Sequence, residues 1–259
     1  MTLTRADMGT WLINLPRAVE RRRTMEARLA ALGLPHTLSE GVDGKARATE
    51  LLKTVDVALF ERNHGRRMLP GDLGCYHAHL EAWRAFLQSG QPVALILEDD
   101  VVFHDDFLAA VDLALKADAH WDMLKLNKVR AKLPVCQGRI GPYVLNAYAG
   151  PATGLGAYLI KRETAERLLP RLLPITCMID YEIPRFFAHD FRLFGLEPFP
   201  SHQDDGKVSM ITGVNLGDIE KFRWYRRLPY YRKKAANYFR RIWWLARKGY
   251  LFPRCRPLL

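Results

Sequence analysis

The sequence predicts an α/β protein with a mixed central sheet flanked by helices and a basic helical C-terminal tail. Three observations carry that expectation. Short uninterrupted apolar runs of strand length stand at Thr10 to Leu15 and Val93 to Leu97. Amphipathic helical patterns separate such runs, and strands alternating with helices indicate an α/β sheet. The charge is also unevenly spread: of 39 Lys and Arg, 13 lie from Lys221 onward, where there is no Asp or Glu, so the first 220 residues balance 26 basic against 28 acidic side chains.

TWLINL ends at Pro16, and its length and boundary make it a buried strand. A basic helix is expected over residues 19 to 32, with Met25, Leu29 and Leu32 at helical spacing and Gly33 as its stop. The clearest helix runs from Asp72 to Gln88. Leu73, Tyr76, Leu80, Trp83 and Leu87 form its apolar stripe, Asp72 stands at the N-cap, His79 faces inward and His77 faces water. VALIL over Val93 to Leu97 has the unbroken apolarity of a strand buried on both faces of a parallel sheet. Asp105 and Asp106 are expected to cap a helix reaching about Lys116. Trp121 to Leu126 and Leu155 to Ile160 are further strands, with a helix from Arg162 to Leu169.

An apolar share of 49% and a charged share of 26% exclude a disordered, collagen-like or coiled-coil chain. Cys75, Cys136, Cys177 and Cys255 are widely spaced without a CxxC pair, which fits reduced thiols better than a zinc site or a disulfide framework. The first ten residues lack the apolar run of a secretory signal, and no stretch reaches membrane-span length. The expectation is therefore a cytoplasmic protein, peripheral on the inner face of the membrane. Two units are expected: residues 1–220 as the main domain and 221–259 as the tail. In that tail aromatics such as Trp224, Trp243 and Trp244 alternate with Lys and Arg, a pattern that suits an anionic membrane interface. Nucleic-acid stacking uses the same residue types, as does a helix packed on the domain with solvated charges; membrane association is preferred and nucleic acid is not the expected partner.

The sharpest chemical signal is Glu98-Asp99-Asp100, three carboxylates at the carboxyl end of VALIL. Open α/β sheets bind ligands outside the carboxyl ends of their strands, and a hard divalent cation is the usual reason to gather acids there. A solvated turn is the alternative.

The order of motifs around the triplet resembles glycosyltransferase family 25, which includes bacterial lipooligosaccharide galactosyltransferases. Ile13-Asn14-Leu15, Arg17, Arg21 and Val42-Asp43-Gly44 open the series. Gly71, Gly74, Cys75 and His79 follow, with Ala78 where the family commonly has Ser, and then Glu98-Asp99-Asp100. Gly156, Tyr158-Leu159-Ile160, Ile179-Asp180, Gln203, Ser209 and Ile211 complete it. No single element is specific; their order is. Pro16 and Ala18 depart from the polar residues often seen after I-N-L.

The resemblance implies a GT-A type fold and sugar transfer, with UDP-galactose the expected donor, to a lipooligosaccharide or related glycolipid or oligosaccharide acceptor. It implies Mn²⁺ or Mg²⁺ held by Asp100 with Glu98, and His202 as a late ligand by analogy. Donor contacts would come from Asn14, Leu15, Arg17, Arg21, Glu98, Asp99 and Gly156. Members are generally inverting, which requires a general base: Asp180 is the first choice and Glu182 the second. Arg17 and Arg21 read equally well as a solvated helix start, Asp180 as a helix cap, and His202 as part of a solvated loop. Gly150 to Gly156 is read as a flexible wall of the sugar site, since it leads into a strand rather than a helix N-terminus. Two rival functions remain: a non-enzymatic membrane or nucleic-acid binding protein, and a metal-dependent nucleotide-sugar hydrolase.

Overall fold

The computed structural model describes residues 2–204 and 220–259. Ser209 and Ile211, the last pair of the motif series, lie outside the described residues.

The strands in chain order are β1 (Met8–Asn14), β2 (Thr37–Glu40), β3 (Val93–Glu98), β4 (Val101–Phe103), β5 (Met123–Lys125), β6 (Arg130–Ala131), β7 (Pro134–Ile140), β8 (Tyr143–Tyr148), β9 (Ala152–Thr153), β10 (Ala157–Lys161), β11 (Leu193–Glu197) and β12 (Ser201–Gln203). The helices are α1 (Val19–Ala31), α2 (Ala48–Leu51), α3 (Val57–His64), α4 (Pro70–Ser89), α5 (Phe107–Lys116), α6 (Arg162–Leu168), α7 (Ile179–Glu182), α8 (Phe186–His189) and α9 (Leu228–Lys248).

The main sheet has the order β2-β1-β3-β10-β5-β11-β8-β7. β1 is parallel to β2 and β3, whereas β10 runs antiparallel to both β3 and β5. VALIL is fully buried as its apolarity demands, but one of its two neighbours is antiparallel, so the sheet is mixed and flanked by helices. This topology brings Asn14 at the end of β1, Glu98 at the end of β3 and Gly156 at the entry to β10 to one edge, where the Glu98 N–H donates to the Gly156 carbonyl at 2.7 Å. A small antiparallel ribbon of β4 and β12 sits beyond it, with His202 opposite Val102 and Gln203 opposite Val101.

α4 begins two residues earlier than the sequence suggests, at Pro70. Asp72 is thus inside the first turn, where it accepts from the Leu69 N–H at 2.8 Å and pairs with the buried Arg66 guanidinium. His77 is buried rather than facing water, because Thr54 covers it, the hydroxyl lying 3.0 Å from Nε2. Asp106 stands at the start of α5 as expected, but its carboxylate accepts from the Tyr143 hydroxyl at 2.6 Å instead of capping the helix. Two glycines account for part of the motif series. Gly74 in α4 packs against the Val42-Asp43-Gly44 turn so closely that a Cβ on it would lie 2.9 Å from the Gly44 nitrogen, and a Cβ on Gly44 would collide with the Pro70 carbonyl.

The tail corrects one expectation. Cys136 and Cys255 are joined by a disulfide across 119 residues of sequence, so two of the four cysteines are not free thiols. The final residues lie along β7, where Arg254 N donates to the Cys136 carbonyl and Arg139 N to the Arg256 carbonyl. α9 packs on α3 and α8, burying Arg241, Trp244 and Leu245. Trp244 lies edge-on to Phe186 and donates its indole N–H to Asp190 at 2.7 Å. The change at residue 220 is therefore a change of charge and not a break in packing. The opposite face of α9 stays exposed with Tyr231, Phe239, Ile242 and Trp243. Among the described residues no helix is long and apolar enough to cross a membrane.

Candidate active site

A cavity of about 340 Å³ opens where the end of β1, the Gly41 to Lys45 turn, the first turns of α4 and the acidic triplet meet. Leu15, Arg17, Arg21, Glu98, Asp99 and Asp100 all line it, together with Gly71 and Gly74. The N-terminus of α4, a 20-residue helix, borders the cavity through Pro70, Gly71 and Gly74, a placement that favours anions.

The triplet is held by specific partners. Glu98 Oε1 lies 3.2 Å from His79 Nε2, and Glu98 Oε2 accepts from Gln203 at 3.2 Å. His79 Nδ1 is 3.0 Å from the Tyr158 hydroxyl, which accepts from the Trp83 indole at 2.8 Å. The Tyr158 hydroxyl is thus shared between the Trp83 indole and His79, and His79 presents Nε2 to the Glu98 carboxylate. Burial pushes the Glu98 carboxyl up, but His79, Arg21 and Gln203 together outweigh it and leave Glu98 below the usual glutamate value. Asp99 accepts from Asn14 at 2.5 Å, while the Arg21 guanidinium pairs with both Asp99 and Asp100, lying 3.0 Å from the latter.

Asp100 is less well satisfied. Its Oδ1 is buried with no hydrogen-bond partner among the described residues. Burial first, and the neighbouring Glu98 charge second, raise its pKa to about 7 against the opposing pull of Arg21. A buried, unpartnered carboxylate oxygen suits a hard divalent cation, so Asp100 offers one ligand for the cation expected from the sequence, while the three carboxylates of the triplet do not converge as a set. His202 does not fit. It is exposed on the β4–β12 ribbon, and its Nδ1 lies 2.9 Å from His104 Nε2, so alternation along β12 turns Gln203 and not His202 toward Glu98. Among the described residues the side chains close enough to share an ion are Cys75, His79 and Glu98, within 4.8 Å of one another. Burial, then Glu98 and Asp180, push the Cys75 thiol far up, which keeps it a neutral and poor ligand.

Other candidates are placed differently from expectation. Arg17 and Arg21 both line the cavity, Arg17 paired with Asp43 and Arg21 with Asp99 and Asp100. Asn14 touches the triplet and not the cavity surface. Gly156 sits behind Glu98, where a Cβ would strike the Asn127 amide, and so serves close packing instead of forming a donor wall. Gly154 in the same loop takes φ +95° and accepts from Lys125 Nζ.

Asp180 lies in α7 and lines a second, smaller cavity. Burial, then Glu98, raise its pKa to about 6, with Lys125 opposing. Glu182 is unsuited to accept a proton. Burial would raise its pKa, but a hydrogen bond from His189 at 2.8 Å and the Arg185 guanidinium at 2.7 Å bring it to about 2.

The structure adds Lys125 and Asn127, which sequence reasoning missed. Lys125 is fully buried, its pKa lowered to about 8 by burial against the pull of Asp180 and Glu98. Asn127 is fully buried with both amide atoms unpaired among the described residues. A lysine inside an otherwise apolar strand was the available signal, since buried charge is rare unless it has a partner.

The model of glycosyltransferase family 25 (LPS biosynthesis protein) matches residues 8–135, a span that contains Asn14, Arg17, Arg21 and the triplet but not Asp180. A glycosyltransferase 25 family member of Aedes aegypti is 29% identical over 190 residues, which cover 68% of this chain and 30% of that protein. Procollagen galactosyltransferase 1 of Danio rerio is 24% identical over 240 residues, covering 81% and 39%, and procollagen galactosyltransferase 2 of Homo sapiens is 24% identical over 219, covering 74% and 35%. This chain thus spans about a third of the length of these relatives. A solved structure, that of mannose-1-phosphate geranyltransferase from Thermus thermophilus, overlaps 75% of each chain loosely, at 17% identity and a TM-score of 0.42. Residues 8–135, the segment that carries the acidic triplet, are thus similar to glycosyltransferase family 25, as the order of motifs in the sequence leads one to expect.

Proposed function

We propose that this chain transfers galactose from UDP-galactose to a sugar of a lipooligosaccharide or related glycan acceptor, with inversion at the anomeric carbon. One observation carries the reading: the acidic triplet at the end of β3, with Asp100 Oδ1 buried and unpartnered among the described residues, lines a 340 Å³ cavity floored by the glycine-rich start of α4. The names of the procollagen galactosyltransferases support galactose as the sugar.

In this mechanism the start of α4, which borders the cavity, receives the diphosphate. Arg21 balances the charge of Asp99 and Asp100. Asp100 would offer a ligand to Mn²⁺ or Mg²⁺, which when bound stabilises the negative charge of a departing diphosphate as a Lewis acid. Tyr158 and His79 fix the Glu98 carboxylate from behind. Asp180 takes the proton of the acceptor hydroxyl as that oxygen attacks the anomeric carbon from the face opposite the nucleotide. With a pKa of about 6 it is ionised at neutral pH and more basic than an ordinary aspartate. The exposed aromatic and basic face of α9 is proposed to rest on an anionic membrane near a lipid-linked acceptor.

The test is a panel of nucleotide sugars assayed for thermal stabilisation with and without Mn²⁺, since a ligand of the native state raises the apparent melting temperature. Stabilisation by UDP-galactose that needs Mn²⁺, followed by transfer to an acceptor glycan, is the expected result. Stabilisation by no nucleotide sugar refutes the reading, and release of free galactose at a rate indifferent to acceptor identifies a hydrolase instead.

A further inference from the structure

The second cavity, about 90 Å³, lies between α3, α7 and α9 and is lined by Arg130, Asp180, Arg185, Lys233, Lys234 and Arg241. It is outside the segment matched by the family model except at residues 63, 64 and 130. Five cations face one carboxylate there, and among the described residues only Arg185 has an acidic partner, Glu182. Lys233 donates to the Cys177 sulfur at 2.7 Å, which leaves its charge uncompensated.

Arg241 is the decisive residue. It is 5% exposed, and among the described residues its Nε has no hydrogen-bond partner and its guanidinium forms no ion pair. That guanidinium rests on the faces of Phe187 and Tyr238, at 5.1 Å and 5.7 Å. A buried charge without an opposite charge costs stability, and burial lowers even its pKa to about 10. His64 on the same wall offers no relief. Burial, then Arg66 and Lys233, lower its pKa to about 3, and its Nε2 accepts from the Met178 N–H, so it is neutral.

We propose that this cavity binds the anionic group of the acceptor, so that the acceptor is a sugar bearing a phosphate or carboxylate near the hydroxyl that faces Asp180. The proposal rests on the transferase reading, which makes Asp180 the base, and adds the acceptor's chemical class. Guanidinium and ammonium groups converging from three elements suit an oxyanion, Arg by paired hydrogen bonds and Lys as a point charge. The small volume suits one charged substituent and not a nucleotide, which the larger cavity accommodates.

The test measures binding of glucose 6-phosphate, glucose, inorganic phosphate and UDP to the full chain by calorimetry. The parent is expected to bind glucose 6-phosphate at least tenfold more tightly than either glucose or inorganic phosphate, without competition from UDP. The exposed-residue variant Arg130→Gln/Lys234→Gln is expected to lose that affinity tenfold or more while keeping its melting temperature and its UDP affinity. Arg241→Gln serves as a second probe of the same loss. No preference for the anionic sugar, equal affinity for free phosphate, displacement by UDP, or unchanged binding by the double variant would each overturn the proposal. Failure of UDP to bind in the presence of Mn²⁺ would instead strike the transferase reading, so the two failures are told apart.

Discussion

His79 Nε2 stands 3.2 Å from Glu98 Oε1, at the end of a buried hydrogen-bond chain that starts at the Trp83 indole and passes through the Tyr158 hydroxyl. The chain ties α4 to β10 and β3 and fixes the first carboxylate of the triplet from behind. Removing the middle link strands both ends. Tyr158→Phe leaves Trp83 Nε1 and His79 Nδ1 unpaired in the core, and each such group costs about 1–3 kcal/mol. The variant is expected to unfold at lower denaturant concentration than the parent with an unchanged slope. An unaltered midpoint would mean that these hydrogen bonds are dispensable.

Asp100→Asn is expected to abolish Mn²⁺-dependent stabilisation by UDP-galactose, because an amide is a poorer ligand for a hard cation. It also makes a stability prediction with a definite sign. The folded pKa of Asp100, about 7, lies above the unfolded value near 3.8, so the folded state binds the proton more tightly and the metal-free parent loses stability as pH rises between those values. The penalty is fully present above about pH 7. The Asn variant in chelator should therefore match the parent near pH 4 and exceed it at pH 8 in thermal unfolding; a variant less stable than the parent at pH 8 would contradict this.

How much of this site could be read from the sequence depends on how local each part is. The triplet was legible because VALILEDD places three acids directly after a strand, and the motif glycines because Gly44 and Gly74 need backbone contact that no side chain permits. Lys125 reaches the site through a strand whose neighbours in the sheet come from residues 157–161 and 193–197. The second cavity is built from residues near 63, 130, 152, 180 and 234. Neither can be assembled from spacing along the chain. His77 was misjudged because a helical wheel does not know that Thr54 covers that face, and the Cys136–Cys255 bridge because it depends on the return of the final residues to β7.

Asp180→Asn should leave donor binding intact and lower the transfer rate on the order of 10²-fold or more, the usual contribution of a positioned base. Because the base must be ionised, the parent's rate is expected to rise with pH through about 6 and then level off. Single-turnover transfer across pH 5 to 8 checks it. A variant that keeps the parent's rate, or a parent rate flat from pH 5 to 7, would remove Asp180 from this role.

Trp243 and Trp244 are neighbours on α9 with opposite surroundings, 54% and 5% exposed. Trp244 fills space against Phe186 and satisfies Asp190, so Trp244→Ala should cost about 3–5 kcal/mol. For the same reason, removing everything after residue 220 should destabilise the body and not release an intact domain. Phe239 and Trp243 touch water, and Trp243→Ala/Phe239→Ala should leave the melting temperature nearly unchanged. The same double variant should lose most of its co-sedimentation with anionic vesicles, since interfacial aromatics supply apolar burial beside Lys and Arg that each contribute roughly 1 kcal/mol near such a surface. Added salt should weaken binding of the parent, because the charges involved are solvent-exposed. Vesicle binding that survives the double variant, or binding indifferent to salt, would show that this face of α9 does not meet the membrane.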